Sequence, residues 1–433
     1  MTTSLRLVLG LLGLSLLALV VTGSPIYSRL SYLWGLVLVV SWVWAASALR
    51  GVHVQRKPRT RRAQVGQIFQ ERFDVQNYSR LSHLWLEVSD QSALPGSLGS
   101  RVLVGLRGQQ QRSYLVRTRL VQRGVFPLGP TVLASGDPFG LFPVSRGLSS
   151  DASLLVYPIT VKVHTFPSPP GLLSGGEALR RRTHQVTPNA AGVREYAPGD
   201  SMNRIHWVST ARRERLMVKE FELDPLAEVW ILVDAEREVQ AALPYSPPTI
   251  AVDALWSPLT EPTLPPSTEE YAVSIAASLG QYFLQRGRAV GLASCGQSQS
   301  PNMLPPDRGG RQLGKILESL ALLRAEGNLP ISALATAQAQ HLPRGSTVVL
   351  ITPSVREHVA LTVDLLLRRG LRPVVVLLDT ASFGGPPGTK ALATAITILG
   401  VPVCQVANGV DLGTALSMAV PSLAIRREQE LAP

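Results

Sequence analysis

Two apolar runs within the first fifty residues constrain the fold of this chain more than any other feature. Residues 7–21 read LVLGLLGLSLLALVV, in which a single serine is polar, and residues 33–49 read LWGLVLVVSWVWAASAL without a charge. Each is close to the roughly 17–20 residues that a helix needs to cross a bilayer. A turn with Gly23 and Pro25 separates them. The pattern therefore predicts a transmembrane helical hairpin over residues 1–50.

The same segment has a second interpretation. The small residues at positions 22–24 are compatible with a cleaved signal peptide, after which one membrane anchor would remain. Trp42 and Trp44 lie deeper in the second run than interfacial tryptophans usually do.

Basic residues predict the orientation of the hairpin. The turn between the two runs contains one basic residue, Arg29. The positive-inside rule places the more basic flank in the cytoplasm, so both termini and the bulk of the chain are expected there, attached to the cell membrane by two helices. Residues 51–66 are interpreted as a basic juxtamembrane linker, which would also suit anionic lipid head groups. The six basic residues after the second run are Arg50, Arg56, Lys57, Arg59, Arg61 and Arg62.

The composition indicates which classes of partner the protein can bind and whether its cysteines are oxidised. The chain has 433 residues and a formal net charge of +12, which favours acidic partners and allows several domains. No aromatic residues alternate with the charges of the basic flank, so nucleic acid is not expected as a partner. Only two cysteines are present, and both lie in apolar runs; they are expected to be buried free thiols.

Short strands are predicted over residues 67–165. Turn residues punctuate this region at roughly ten-residue intervals, and residues 114–120 alternate in the period of two that half-buried strands show. The pattern indicates a β-sandwich-like domain. The candidate strands are 68–75, 84–88, 101–106, 114–120 and 131–134.

A different period begins after residue 226. Five apolar strands alternate with amphipathic helices over residues 227–426, which predicts an α/β doubly wound, mostly parallel sheet. A proline-rich insertion at 243–266 follows the first strand and is either a spacer or an ordered flap. The candidate strands are 228–233, 288–294, 347–351, 373–378 and 402–406, and the candidate helices are 269–285, 312–324, 357–369, 391–399 and 412–419.

Motifs of enzyme chemistry are not found in the sequence. Residues 384–391 read GGPPGTKA after a strand, but they lack the second glycine and the final hydroxyl of a phosphate-binding loop. No pair of the seven histidines has the spacing of a zinc site. Asp234, Glu236 and Glu238 follow the first strand of the sheet domain, although Arg237 lies among them. No catalytic residue and no cofactor are therefore predicted.

Charge and one large aromatic side chain concentrate in the stretch REYAPGDSMNRIHWVSTARR, within a linker and signature segment at 166–226. Gly199 and Asp200 read as a turn into a helix, with Asp200 as its N-cap. Trp207 is expected to face the core of the protein.

Arginines surround two acids in this stretch. Arg194, Arg204 and Arg212 are expected to form an ion-pair network with Glu195 and Asp200. A cradle for phosphate or an acidic peptide, and a catalytic site, are the two other interpretations that the composition allows.

The stretch also resembles the signature of the family known as domain of unknown function 58. The pieces RGVFPLGP at 123–130, DPFGLF at 137–142 and VYP at 156–158 match upstream. The matching positions are Arg194, Tyr196, Gly199, Asp200, Arg204, Ile205, Trp207, Thr210, Ala211, Arg212, Val218 and Lys219, and His206 lies among them as a further candidate for a structural or binding role.

The resemblance implies a fold and a class of partner. It implies a β-rich domain near the membrane, a cytoplasmic von Willebrand factor A-like domain, and work with a MoxR-type AAA+ ATPase. Metal-binding domains of that type carry Asp-x-Ser-x-Ser after the first strand. Here Asp234 is present and both serines are replaced, so the site reads as degenerate, and magnesium is expected to bind no more tightly than roughly millimolar.

These observations predict a membrane-anchored, non-enzymatic scaffold or adaptor that acts through protein–protein interaction, with an AAA+ ATPase as the expected partner. The sequence also allows two alternatives. One is a hydrolase with a site around Arg194, Asp200 and His206, and the other is a protein that binds anionic lipid or nucleic acid through its basic flank.

Overall fold

The computed structural model describes residues 2–80, 82–96, 100–167, 190–196, 205–221, 228–246, 264–296 and 301–417. In these ranges the helices are α1 (Thr3–Thr22), α2 (Pro25–Ser47), α3 (Trp207–Arg213), α4 (Thr268–Gln285), α5 (Gln312–Leu322), α6 (Ile331–Ala339), α7 (His358–Arg368), α8 (Thr389–Ile398) and α9 (Leu412–Ser417).

The strands before the sheet domain are β1 (Val52–Pro58), β2 (Arg62–Gln64), β3 (Ile68–Asn77), β4 (His83–Asp90), β5 (Ser100–Leu106), β6 (Gln111–Arg119), β7 (Gly124–Pro127), β8 (Thr131–Gly136), β9 (Pro143–Leu148), β10 (Ser153–Tyr157), β11 (Ala190–Glu195) and β12 (Met217–Phe221). Those of the sheet domain are β13 (Val229–Val233), β14 (Val290–Ser294), β15 (Asn302–Asp307), β16 (Thr347–Thr352), β17 (Arg372–Leu378) and β18 (Val403–Val406).

The two apolar runs form an antiparallel helical hairpin. The side chain of Thr2 caps α1 by accepting a hydrogen bond from the backbone N–H of Leu5. Gly23 ends α1 at φ 64°, a left-handed conformation that suits glycine, and Pro25 opens α2. The turn is therefore shorter, and α2 begins earlier, than the apolar pattern predicted. Both helices are long and apolar enough to cross a membrane.

Small residues line the contact between these two helices. The hydroxyls of Ser15 and Ser31 are 3.1 Å apart across the hairpin, and Ser41 and Ala45 are also buried. The large apolar side chains point outward; Val20, for example, is 83% exposed. This inverted pattern is the one that helices in lipid show, because small residues let the backbones approach while lipid contacts the large side chains.

The β-rich region has two facing sheets, with strand orders β1-β3-β6 and β5-β4-β8-β9. Phe73 and Val75 of one sheet pack against Leu86 and Leu133 of the other, which gives the layered core expected from the sequence. A third sheet has the order β2-β10-β7. The five strands predicted here are confirmed as β3, β4, β5, β6 and β8.

The segment 51–66, expected as a linker, contributes β1 and β2 to these sheets. Arg56 explains why a basic strand is stable in this position: its guanidinium forms two hydrogen bonds to Glu71 and two to Asp90. Lys57 pairs with Asp74 at 3.0 Å. Part of the positive charge of this flank is therefore neutralised inside the β-rich region and is not free for lipid head groups.

The predicted α/β arrangement is present after residue 228. Five parallel strands and one antiparallel edge strand have the order β15-β14-β13-β16-β17-β18. Alternate residues of β13 face opposite cores: Ile231 packs toward α4, α5 and α9, whereas Leu232 packs toward α6, α7 and α8. Because helices cover both faces, the central strands are apolar at every position, which accounts for the unbroken runs in the sequence.

Two elements of this domain were missed by the sequence pattern. The edge strand β15 reads NMLPPD and contains two prolines, which signal a breaker. Proline is tolerated here because an edge strand needs only one of its sides for pairing. The helix α6 lies in a stretch rich in alanine, whose apolar period is weak. Both cysteines are buried and free, as expected.

Arg123 links the β-rich region to the sheet domain. Its guanidinium is 1% exposed and forms ion pairs with Glu269 and Glu270 in the first turn of α4. It also donates hydrogen bonds to the carbonyl oxygens of Leu320 and Leu323 at the end of α5, at 3.2 and 2.8 Å. The guanidinium of Arg123 thus pairs with the terminal carbonyl groups of α5 and with the glutamates in the first turn of α4.

We expect Arg123→Ala to lower the free energy of unfolding by about 3 kcal/mol, because it removes the partner of Glu270 and of two carbonyl groups and leaves Glu269 with only the more distant Arg324. Denaturant unfolding of the full chain in detergent measures this loss. The matched control is Arg324→Ala, which removes a guanidinium that is 40% exposed and 3.9 Å from Glu269. An equal effect of the two substitutions would contradict the anchoring role of Arg123.

Candidate functional site

The strand order of the sheet domain identifies one edge as a candidate site. Numbered along the chain, the five parallel strands lie in the order 2-1-3-4-5, so the direction of winding reverses between β13 and β16. In open α/β sheets ligands bind outside the carboxyl ends of the strands at such a switch point. The residues that follow Val233 and Ile351 lie there. We refer to Asp234, Glu236, Glu238, Thr352, Ser354 and Arg356 as the switch-point cluster.

Asp234 is the buried centre of the switch-point cluster. One of its carboxylate oxygens accepts a hydrogen bond from the Thr352 hydroxyl at 2.6 Å, and the other accepts one from the backbone N–H of Glu236 at 3.1 Å. Thr352 in turn accepts a hydrogen bond from the backbone N–H of Ser354. Burial raises the pKa of Asp234 to about 6, although these hydrogen bonds oppose the shift.

Arg356 brings a positive charge to the acids of the cluster. Its guanidinium contacts Glu236 at 2.7 Å and Glu238 at 2.9 Å. Glu236 is buried, whereas Glu238 is exposed. The guanidinium supplies the compensation that the buried Glu236 carboxylate requires, but its single positive charge does not balance all the acids of the cluster. The sequence did not predict that Glu236 and Glu238 converge on Arg356, because Arg356 lies 120 residues further along the chain than Glu236.

The described residues contain no group of three or more His, Cys, Asp and Glu side chains that could hold a metal ion. The weak magnesium binding expected from the sequence stays a prediction.

Close backbone packing holds the loop that carries these acids. The backbone of Gly327 donates to the carbonyl of Ala235 and accepts from the N–H of Arg237. A Cβ atom at position 327 would lie 2.1 Å from the carbonyl oxygen of Cys295, so only glycine fits there. The amide of Gln240 donates to the carbonyls of Asp234 and Glu236. The acidic loop is thus fixed from two sides.

Two further segments lie at the same edge of the sheet. Gly388, at φ 145°, packs against Val355 and precedes α8, so the GGPPGTKA stretch is a turn into a helix. The N-cap of this helix is Gly388, and no side chain caps it. The described ends of the proline-rich insertion are joined by the Ala242–Ser267 bridge. Residues 247–263 of the insertion lie outside the described residues.

The raised pKa of Asp234 makes a prediction about pH. The folded protein holds this proton more tightly than the unfolded chain, so the stability contributed by the group falls as pH rises from about 4 to about 6. We expect the free energy of unfolding of Asp234→Asn, measured with urea, to exceed that of wild type by about 1–3 kcal/mol at pH 7.5. At pH 4 the two proteins should have equal free energies of unfolding.

The control for this prediction is Asp151→Asn, at an exposed aspartate, which should leave the pH profile of stability unchanged. An Asp234→Asn variant with the same pH dependence as wild type would contradict the assignment.

The signature segment forms a separate small unit. Strands β11 and β12 pair antiparallel, Arg194 opposite Val218, and α3 lies between them in the chain. Ile205 forms a bridge to Val218, and the side chains of Ile205, Met217 and Val218 are buried. The backbone N–H of Tyr196 donates to the carbonyl of Leu216. Gly199, Asp200 and Arg204 lie outside the described residues.

His206 is the N-cap of α3. Its Nδ1 atom accepts a hydrogen bond from the backbone N–H of Ser209 at 3.1 Å and lies 2.8 Å from the Ser209 hydroxyl. The expected start of the helix at Asp200 is therefore wrong for the described helix, which begins at Trp207. The first backbone N–H groups of a helix have no partner within the helix, so a ring nitrogen that accepts a hydrogen bond from one of them stabilises the helix.

The expected burial of Trp207 is wrong. Its side chain is 68% exposed, and the neighbouring Val208 is 60% exposed. The described helix has no buried residue. Of the expected ion-pair network, Asp200 and Arg204 lie outside the described residues; in the described part Glu195 pairs with Arg215 at 3.0 Å, and both side chains are largely exposed, as is Arg212.

The residues of the three upstream motifs contribute to the packing and hydrogen bonding of the fold. Arg123 of RGVFPLGP joins the domains as described above. Asp137 of DPFGLF is buried, and its carboxylate accepts hydrogen bonds from the backbone N–H groups of Phe139 and Phe142. Val156 of VYP is fully buried in β10. Asp137 therefore shapes the loop that connects β8 to β9.

The described fold is a helical hairpin followed by a β-rich region and an α/β sheet, with the signature unit between the last two. The family model described as "Protein of unknown function DUF58" matches residues 192–241, which include the signature unit and the acidic loop. The match confirms the resemblance that the signature residues indicated.

A relative from Bacillus subtilis (strain 168), described as "Uncharacterized protein YeaD", is 28% identical over 219 residues. The alignment covers 50% of this chain and 46% of the relative, so the chain spans about half the length of the curated relative it matches.

Solved structures show only slight likeness. The CARDB domain of a Pyrococcus furiosus protein, solved with di-metal ions, is 10% identical with a TM-score of 0.18, over 24% of this chain and 91% of that one. The Pseudomonas fluorescens alkylpurine DNA glycosylase AlkC is 11% identical with a TM-score of 0.14, over 32% and 42% of the two chains. Such scores do not define a shared fold.

Proposed function

We propose that this protein is a membrane-anchored adaptor without catalytic activity of its own, which docks a protein partner through the signature unit. The observation that carries the proposal is the outer face of α3. Trp207 and Val208 are exposed there beside Arg212 and Arg213, and Leu216 follows at 44% exposure.

The composition of this face suits a protein interface. Tryptophan and arginine are the residues that most often dominate binding energy, and an exposed Trp in a monomer leaves a large apolar area in water. The adjacent arginines favour an acidic partner surface, in agreement with the net charge of +12. From the family resemblance, the expected partner is a MoxR-type AAA+ ATPase, and the sheet domain is interpreted as von Willebrand factor A-like.

The switch-point cluster fits an adaptor better than a hydrolase. Glu236 and Glu238 are both paired with Arg356, and Asp234 is engaged by Thr352 and a backbone N–H. His206, one of the three residues of the hydrolase interpretation, accepts a hydrogen bond as a helix cap. The role of a general base requires a free acceptor directed at a substrate.

Trp207→Ala tests the docking surface. We expect the variant to bind a purified MoxR-type AAA+ ATPase from the same organism about 30-fold more weakly, the effect of losing about 2 kcal/mol at an interface hot spot. Its stability should stay within about 0.5 kcal/mol of wild type, because the side chain is exposed. Surface plasmon resonance and thermal melts on the full chain in detergent give the two values.

Leu361→Ala is the matched control, since Leu361 is 67% exposed on α7 of the sheet domain. It should bind the ATPase as wild type does. Unchanged binding of Trp207→Ala, or a large loss of its stability, would overturn the docking role of α3.

The topology of the anchor is a second part of the proposal. The Thr2 hydroxyl donates to the carbonyl of Leu141, so the start of α1 and the β-rich region lie on one side of the hairpin. Arg6 and the basic residues after α2 are on that side, and Arg29 is near the turn. The charge distribution favours the cytoplasm for this side.

We expect a C-terminal alkaline phosphatase fusion to be inactive in cells and the same reporter inserted between Gly23 and Ser24 to be active, because that enzyme works only outside the cytoplasm. The opposite pattern would place the bulk of the chain outside. Activity at both positions would indicate that only the first apolar run crosses the membrane.

A further inference from the structure

A groove lies where the helical hairpin meets the β-rich region. Leu5 of α1 and Trp42 of α2 form one wall, and residues 141–144, which end the DPFGLF loop and begin β9, form the other. Its volume is about 590 Å³, within the roughly 300–1,000 Å³ typical of small-molecule sites. Ala45 and Ala46 line it, and these small side chains leave the space open.

The groove continues along the hairpin. A second cavity of about 340 Å³ shares Leu5, Trp42 and Phe142 with the first and extends to Leu9 and Leu38. Each of those two residues is four positions, about 6 Å, further along its helix toward the turn. The space therefore runs from the β-rich region toward the middle of the apolar spans.

The walls of the groove are suited to a hydrocarbon chain. Apart from Thr2, the lining side chains are largely apolar, and Trp42 is 62% exposed. The Thr2 hydroxyl is engaged by the carbonyl of Leu141. Polar atoms also line the part of the groove beside Thr2, but water has few partners in the extension toward Leu9 and Leu38, where apolar walls gain contacts only when another apolar group fills the gap.

We propose that this groove binds a phospholipid acyl chain, which the hairpin and the DPFGLF loop hold together. The proposal depends on the membrane anchoring given under Proposed function. Continuity with the lipid-facing surface of the hairpin identifies the occupant, because lipid is the molecule that surrounds Leu9 and Leu38 in a bilayer. The bound chain fills the gap beneath the β-rich region and explains why Trp42 lies deeper than an interfacial tryptophan.

Photo-crosslinking tests the proposal. The full chain is reconstituted in nanodiscs of phosphatidylethanolamine and phosphatidylglycerol, a fraction of which carries a diazirine in the acyl chain, and labelled residues are mapped by peptide mass spectrometry. We expect label on the helices and also on Phe142 and Val144, which belong to the β-rich region. Label on these two residues distinguishes the groove from ordinary lipid around the helices.

Groove-filling variants sharpen the test. Ala46→Trp should abolish the label on Phe142 and Val144, and Val144→Trp, a second variant that fills the groove from the other wall, should abolish it on Phe142. Val20→Trp is the control: position 20 lies about 22 Å along α1 from Leu5, and the label should be unchanged. A thermal melt shows that each variant is folded.

The outcomes separate the two proposals. Label on the helices that never reaches Phe142 and Val144 in wild type overturns the lipid groove and leaves membrane anchoring intact; the groove would then be occupied by protein, such as the hairpin of a second copy. Label that persists in both filled variants also overturns it. No label on either helix overturns membrane anchoring and the groove together.

Discussion

The arrangement of the β-rich region and the sheet domain depends on the hydrogen bonds and ion pairs of the buried Arg123 guanidinium. It reaches from the β-rich region to the place where the end of α5 meets the beginning of α4, and it satisfies carbonyl oxygens of one helix and carboxylates of the other. An arginine can do this because its planar fork carries several donors in different directions. A buried charge with so many partners tolerates little movement, so the orientation of the two domains is specific.

At its other end the β-rich region contacts the hairpin. The hydrogen bond from Thr2 to Leu141 and the packing of α2 beside β8 and β9 hold it there. The DPFGLF loop is shaped by Asp137, whose carboxylate binds two backbone N–H groups of the loop. The two motifs thus lie at the two junctions of the β-rich region, one with the sheet domain and one with the hairpin.

Much of the local structure followed from the sequence. The five predicted strands of the sheet domain are present because a strand covered on both faces is apolar at every position, a signal that needs no knowledge of its neighbours. The strand β15 was missed because its prolines are acceptable only at an edge, and position in a sheet is not visible in a single segment. The strand β1 was read as a linker because its charges resemble a topology signal, whereas Arg56 is paired with acids from β3 and β4.

The sequence by itself determined the hairpin, the alternation of strands and helices, and the position of the signature along the chain, because periodicity and composition are local properties. Only the tertiary structure decided which of these residues meet. The strand order placed Asp234 beside Thr352, and Arg356 then neutralised Glu236 from across 120 residues. The exposure of Trp207 was likewise decided by what packs over it. Burial and pairing arise from long-range contacts, and a single sequence records the side chains that make such contacts without recording their partners.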